Sequence, residues 1–187
     1  MLCLLLASSL LPASAQAAQN EDGIDIAVSI DGDEVQIDIS ALIEARPRDV
    51  WAVFTDFDRM ADFVSNLKSS HVIARSNANS LTVEQHGRAG VGPISFTLDS
   101  VREIQMKPFE WIRSKLLSGG MKKFDGITRI SEEGGKTRLS YHSDVTSASW
   151  IPPVIGRKLI EEQAREQFSQ MLQEVLRRKK QTRGISH

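Results

Sequence analysis

The stretch Ala45–Val64, ARPRDVWAVFTDFDRMADFV, decides how the chain around it folds. Pro47 suits the first turn of a helix and not its interior. Val50, Trp51 and Phe54 then recur at helical spacing, which indicates one apolar helix face. A Thr-Asp pair interrupts this pattern, and a second apolar helical face follows it. The segment therefore predicts two short helices in succession over residues 47–65.

Two strands are predicted before this helix pair. Apolar and polar residues alternate over 24–30 and again over 35–43, which is the period of a half-buried strand. Asp31-Gly32-Asp33 lies between them and is typical of a hairpin turn. The strand over 24–30 is expected to be an extra strand at the sheet edge, with backbone groups that a partner's sheet could pair with.

An antiparallel meander is predicted over residues 67–146, because turn residues recur there at strand spacing. A long helix is predicted over 152–181, where apolar residues keep a helical period after a Pro-Pro pair. A helix of this length needs a large apolar surface to lie on. The expected strands of the meander are His71–Ala74, Leu81–His86, Ile94–Met106, Glu110–Leu117, Phe124–Ile130 and Thr137–Val145.

Composition excludes some functions. The 187 residues carry a formal net charge of -1, which gives no electrostatic case for nucleic acid as the main partner. The basic run Arg177-Arg178-Lys179-Lys180 is local. It suits the C-terminal end of a helix, or alternatively a peripheral contact with anionic lipid headgroups.

Residues 1–18 differ in character from the rest and predict a secretory signal peptide, with an apolar run followed by small-x-small cleavage sites. No basic residue precedes the apolar run. The protein is therefore expected to be periplasmic or secreted, or cytoplasmic if this segment is not cleaved, with one domain over 20–182. Cys3, the only cysteine, lies inside the segment.

Four stretches together resemble the START-like superfamily, which includes the birch-pollen-allergen-like proteins, polyketide cyclases and lipid-transfer domains, and a coenzyme Q-binding branch. They are Ile43–Phe57, Met60–Leu67, Gly120–Gly126 and Thr137–Tyr141, and the resemblance covers about residues 35–181. It implies an α+β helix-grip fold, in which a curved antiparallel sheet wraps around the C-terminal helix. It further implies a cavity for an apolar molecule, without a shared catalytic residue.

The candidate site consists of apolar side chains spread over every element. Trp51 is expected to pack in the core, whereas Phe57 and Phe63 are better candidates for a cavity floor. Tyr141 is a weak candidate for a catalytic acid and otherwise a core tyrosine. The expected cavity residues are Phe57, Phe63, Phe96, Leu98, Trp111, Phe124, Tyr141, Trp150, Ile155, Phe168 and Met171.

No metal site or cofactor is predicted, because no histidine lies in a metal motif. Strand alternation predicts that His86 and His142 point outward. The charged side chains of Arg113, Lys115 and Asp125 are expected on the outer face as well, or alternatively at the cavity mouth. The mouth itself is expected at loops around residues 90–92, 119–120 and 150–153.

Three functions fit these features. The first is binding or transfer of an apolar small molecule or lipid, such as a quinone, a lipid or a polycyclic compound. The second is a polyketide cyclase or aromatase-like enzyme with Tyr141 as acid. The third is a protein-interaction module that uses the basic helix end or the extra strand.

Overall fold

The computed structural model describes residues 23–91, 94–148 and 153–184, with the backbone alone at 89–91, 94–96, 153–155 and 183–184. The elements in chain order are β1 (Ile24–Asp31), β2 (Glu34–Ile43), α1 (Pro47–Phe54), a 3-10 helix (Phe57–Asp62), β3 (Leu67–Asn77), β4 (Ser80–Val91), β5 (Ile94–Thr97), β6 (Ser100–Lys107), β7 (Trp111–Gly119), β8 (Met121–Glu133), β9 (Lys136–Ser147) and α2 (Pro153–Gly184). The predicted signal peptide lies outside the described residues.

The strands of the described residues form one antiparallel sheet. Eight of them follow the order β1-β2-β9-β8-β7-β6-β4-β3, and β5 pairs with β4 alone. The predicted extra strand β1 lies at one edge of the sheet, next to β2. Helix α2 contacts β1, α1 and β4. The predicted α+β helix-grip fold, with short helices after β2 and a long C-terminal helix, is confirmed.

Cross-strand register defines the face of the sheet that looks toward the helices, called here the inner face. Ile26, Ile39, Tyr141 and Thr128 lie side by side on β1, β2, β9 and β8. Residues one position along each strand point the other way and are mostly polar. This alternation keeps one face apolar against the helices and leaves the other to solvent.

Two predicted elements differ in detail. The second short helix is a 3-10 helix, and Asp58 lies inside it, where its Oδ1 accepts a hydrogen bond from the Val72 backbone N–H at 2.8 Å. The predicted strand Ile94–Met106 is divided into β5 and β6. Gly87 marks the point where β4 leaves β6 and pairs with β5, and a side chain there would come within 2.6 Å of the Asn66 carbonyl oxygen.

One buried hydrogen bond fixes where β2 leads into α1. The Thr137 hydroxyl on β9 donates to the Ala45 carbonyl oxygen at 2.7 Å, and both residues are buried. This acceptor lies just before the first turn of α1, where the chain leaves the sheet. The bond therefore ties the start of α1 to β9.

Ionic contacts clamp the C-terminal half of α2 onto the α1 region. The Glu174 carboxylate accepts hydrogen bonds from Arg177 Nε and Arg178 Nε, both at 2.6 Å, and Arg178 Nη1 also donates to Asp56 at 2.8 Å. The Arg178 guanidinium lies 5.4 Å from the ring centre of Phe63. These hydrogen bonds lower the pKa of Glu174 to about 2, although burial opposes the shift.

The same contacts occupy most of the basic run at the end of α2. Arg177 and Arg178 bind Glu174, and Lys179 Nζ donates to the Glu44 carbonyl oxygen. These three side chains therefore act within the fold. A peripheral membrane contact by the run stays a prediction, and these internal contacts do not favour it.

Replacing Thr137 with valine should lower the free energy of unfolding by about 1–3 kcal/mol, because the buried Ala45 carbonyl loses its donor while the side-chain volume is kept. Urea unfolding measures the change. Thr82→Val is the matched control, because Thr82 is half-buried on the outer side of β4 and has no side-chain hydrogen bond within the described ranges. Equal effects of the two substitutions would contradict the role given to Thr137.

Acid should weaken the α2 clamp. Because the folded-state pKa of Glu174 lies below its ordinary value of 4.5, its stabilising contribution is full above about pH 5 and is lost as the pH falls toward 2. Glu174→Gln should remove on the order of 1–2 kcal/mol of stability at pH 7 and much less near pH 2.

Urea unfolding of both proteins at several pH values tests this. Glu162→Gln is the control, since among the described residues Glu162 pairs only with the exposed Lys158 of the same helix, at 3.8 Å. If the loss of unfolding free energy in Glu174→Gln is as large at low pH as at pH 7, the stabilising role given to the Glu174 carboxylate is wrong.

Candidate functional site

The inner face holds two polar side chains that protein surrounds without covering completely. Burial is the largest influence on the pKa of both Arg102 and Tyr141, lowering the first and raising the second. Each residue nevertheless keeps part of its surface uncovered by protein atoms. Both side chains face the helix side of the sheet and are incompletely covered there.

Unpaired polar atoms cluster at the same place. Arg102 Nε, Ser114 Oγ and Ser143 Oγ are buried side-chain atoms with no hydrogen-bond partner in the described part of the chain. Ser114 and Ser143 lie on either side of Gly126, on β7 and β9. Native proteins leave few buried polar atoms unpaired. Three within one patch mark a surface that a bound molecule or water would satisfy.

A glycine makes room for this patch. A Cβ atom at Gly126 would lie 3.0 Å from Phe124 Cζ and 3.4 Å from the Tyr141 hydroxyl oxygen. The Phe124 ring therefore lies over the Gly126 backbone, and the tyrosine hydroxyl reaches the same point. The strand can bring an aromatic ring and a hydroxyl this close only because residue 126 has no side chain.

The Arg102 guanidinium has aromatic contact but no ionic partner. Its Cζ lies 5.4 Å from the ring centre of Phe124, which is cation–π distance. On the inner face its cross-strand neighbours are Val83 on β4 and Leu116 on β7, both apolar. Burial lowers its pKa, but an arginine remains protonated in proteins. The inner face thus carries a positive charge that no described carboxylate neutralises.

Tyr141 supplies a neutral hydroxyl beside this charge. Burial raises its pKa, while the Ser143 hydroxyl and the Arg102 charge oppose the rise. Ser143 comes close enough to affect Tyr141 but without the geometry of a hydrogen bond. The Tyr141 ring also contacts Phe168 of α2, with ring centres 5.3 Å apart. Tyr141 is thus able to donate a hydrogen bond to a molecule held between β9 and α2.

The structure brings together only part of the predicted cavity set. Phe124 and Tyr141 lie close to Arg102. Phe168 contacts the Tyr141 ring but is itself a buried core residue that also packs on Phe54. Phe57 and Met171 belong to the buried core, and Phe63 packs on Arg178. Leu98 follows β5 and is exposed. The side chains of Phe96 and Ile155, and all of Trp150, lie outside the described residues.

Trp111 requires a correction, since it lies on the outer face of the sheet. It pairs with Arg129 on β8 and with Lys107 on β6. Ile112 is buried and takes the inward position on β7. Because alternate residues of a strand point to opposite faces, Trp111 cannot share the inner face with Ile112.

The outer face carries the histidines and charges that alternation assigned to it. His142 Nδ1 lies 2.7 Å from Asp38 Oδ1, and this hydrogen bond raises the pKa of His142. Arg113 pairs with Asp125 there as well. A recess of about 280 Å³ lies next to His142, opens to solvent and has no nucleophile paired with that histidine in the described chain.

Two further observations concern metals and membranes. No group of three or more histidine, cysteine, aspartate or glutamate side chains within residues 23–91, 94–148 and 153–184 has an arrangement suited to a metal ion. None of the helices in those ranges combines the length and apolar character needed to cross a bilayer.

Arg102, Ser114, Gly126 and Ser143 were not predicted from the sequence. Alternation does carry a signal for Arg102, because it shares parity with Ile104 and Met106 in SVREIQMK. A charged residue at an inward position of a strand is unusual unless it is paired. The two serines and the glycine have no such signal, since small residues are common on both faces of a strand.

Comparison with solved structures supports the fold. A STAR-related lipid transfer protein from Xanthomonas axonopodis has 13% sequence identity and a TM-score of 0.69, covering 84% of this chain and 96% of that one. The Zhui aromatase/cyclase from Streptomyces sp. R1128 has 16% identity and a TM-score of 0.64, covering 78% and 95%. Human StAR-related lipid transfer protein 5 has 10% identity and a TM-score of 0.62, covering 85% and 89%.

Sequence comparison identifies the family. No curated protein matches the sequence of this chain. Residues 43–172, well over half of the chain, match the family described as polyketide cyclase / dehydrase and lipid transport. The matched range runs from the end of β2 into α2 and includes the Arg102 and Tyr141 patch. This chain therefore belongs to the polyketide cyclase / dehydrase and lipid transport family.

Proposed function

We propose that this protein binds or transfers an apolar small molecule or lipid in the space between the inner face and α2. The observation that carries the proposal is the group of buried, unpaired polar atoms around Gly126. The Phe124 ring borders this group, and Phe168 contacts the ring of Tyr141, whose hydroxyl lies beside Gly126. An apolar pocket with a few convergent polar groups is the usual form of a small-molecule site. Quinones, lipids and polycyclic compounds all fit this description.

A second candidate is an aromatase or cyclase-like activity with Tyr141 as proton donor. It is favoured by the position of the Tyr141 hydroxyl beside the Arg102 charge, which could stabilise a developing enolate. Binding alone requires fewer assumptions, because no general base accompanies Tyr141 among the described inner-face residues. The identity of the bound molecule separates the two, since a cyclase would hold a poly-ketone chain or its cyclised product.

We further propose that residues 1–18 are cleaved and that the mature protein is periplasmic or secreted. The apolar run and small-x-small sites support this. N-terminal sequencing of the protein from its native host tests it. A chain that begins at Met1 would contradict the proposal and would favour the cytoplasm.

Filling the proposed space should abolish ligand binding without unfolding the protein. Ser114→Leu adds bulk on the inner face at a position whose hydroxyl has no partner to lose. Mass spectrometry of denatured, purified protein should detect a copurified apolar compound in the wild type and little of it in Ser114→Leu. Lys115→Leu is the matched control, because Lys115 is exposed on the outer face one position along β7.

Stability provides an independent readout of the same variant. In a solid core the added carbons would cost about 1–3 kcal/mol, whereas in an open space the free energy of unfolding should change by less than about 1 kcal/mol. A large loss in Ser114→Leu but not in Lys115→Leu would contradict the presence of a cavity. Wild-type protein free of any bound apolar compound, and unable to take one up, would contradict the proposed function.

A further inference from the structure

We propose that the molecule bound in this space carries a carboxylate, and that Arg102 pairs with it. The inference rests on the proposed function, since it identifies the chemical class of the same ligand. Its starting point is that Arg102 Nε is buried without a hydrogen-bond partner, that the guanidinium lies over the Phe124 ring, and that no carboxylate in the described part of the chain pairs with it.

The surface arginines of this protein show what Arg102 lacks. Several of these arginines donate two hydrogen bonds, from Nε and Nη2, to a single carboxylate group. Arg113 binds Asp125 in this way at 3.1 and 2.9 Å, and Arg138 binds Glu133 at 2.9 and 2.8 Å. In Arg102 the Nε atom at the same edge of the guanidinium is buried and has no partner. That edge is shaped for a planar, bidentate acceptor.

The surroundings of Arg102 make the missing partner an anion and not merely a polar group. Val83 and Leu116 flank it on the neighbouring strands and offer no side-chain acceptor. The Phe124 ring compensates only a fraction of the cost of burying a charge. Unpaired buried charges are rare because desolvation is costly, and an anionic group on the ligand would neutralise this charge where water alone would not.

The charge balance favours a carboxylate over a phosphate. One guanidinium supplies one positive charge, which a carboxylate matches. A phosphate monoester carries about −1.5 to −2 at neutral pH and would remain partly unneutralised in a buried site. Tyr141 adds a neutral hydroxyl nearby, and Ser114 and Ser143 add two more. These groups can solvate carboxylate oxygens but add no further charge.

The aromatic rings next to the polar patch indicate that the rest of the ligand is apolar. Phe124 lies on one side of the polar patch, and Phe168 of α2 contacts the Tyr141 ring. An acid group held at Arg102 would direct its hydrocarbon part along these rings, between the sheet and α2. The ligand class is therefore an amphiphile with a single carboxylate, such as a free fatty acid or a polycyclic carboxylic acid.

Displacement of a neutral fluorophore tests the ligand class. The full mature chain, freed of copurified compounds, is loaded with N-phenylnaphthylamine, and dodecanoate, methyl dodecanoate and dodecyl phosphate compete for the site. Dodecanoate should displace the fluorophore at a concentration about tenfold or more below that of its methyl ester, because only the acid pairs with Arg102. It should also compete better than dodecyl phosphate.

Substitution then tests the residue. Arg102→Gln should remove the advantage of dodecanoate over the ester, with both competitors measured against the fluorophore affinity of the same variant. Arg113→Gln is the matched control, because Arg113 lies on the outer face with Asp125 and should leave the advantage intact. Thermal unfolding of each variant establishes that it is folded, and Arg102→Met repeats the test if the glutamine variant is not.

Each result has a separate meaning. If the fluorophore binds and the acid and ester compete equally, the carboxylate inference is overturned and the proposed function stands. If the advantage survives in Arg102→Gln, Arg102 is not the partner. Stronger competition by dodecyl phosphate would replace the carboxylate with a phosphate. If neither the fluorophore nor any competitor binds, both the inference and the proposed function fall.

Discussion

The whole arrangement depends on α2 being held firmly at one end. Glu174 accepts hydrogen bonds from two arginines of its own helix, and one of these reaches Asp56 next to α1. Met171 and Val175 are buried in the same part of α2. The C-terminal half of the helix is thereby fixed to the short helices. The sheet can then curve around α2 without having to pack solidly against all of it.

The polar patch on the inner face differs in character from the ionic contacts that hold α2. At Arg102, Gly126 and Tyr141 the inner face has a charge, a missing side chain and a hydroxyl where a core would have aliphatic groups. Such residues weaken packing, and a protein retains them where they serve recognition. Contacts on the α1 side thus stabilise the fold, whereas the centre of the sheet carries the polar groups on which the proposed binding depends.

Periodicity predicts the fold well because the face of each residue follows from its position in a strand. The alternation over β1, β2 and β9 assigns Ile39 inward and His142 outward, as the structure has them. Periodicity does not separate a 3-10 helix from a short α-helix, and it carries no signal for the hydrogen bond that Asp58 Oδ1 accepts from the Val72 backbone N–H of β3. Hydrophobicity alone wrongly predicts Trp111 on the inner face, where the buried Ile112 takes the inward position of β7. Arg102 is the opposite case. Its position in β6 predicts an inward side chain, but its charge is more typical of the outer face.

The uneven burial of α2 has a kinetic consequence. In its N-terminal half, from Arg157 to Ala164, the described side chains are half-buried or exposed, whereas Phe168, Met171 and Val175 are buried further along. Segments with few buried contacts open at a lower free energy than the molecule as a whole. The first turns of α2 can therefore separate from the sheet while the clamp holds. For a molecule bound as proposed between the inner face and α2, the residence time would then be set by this local opening, independently of how slowly the protein unfolds.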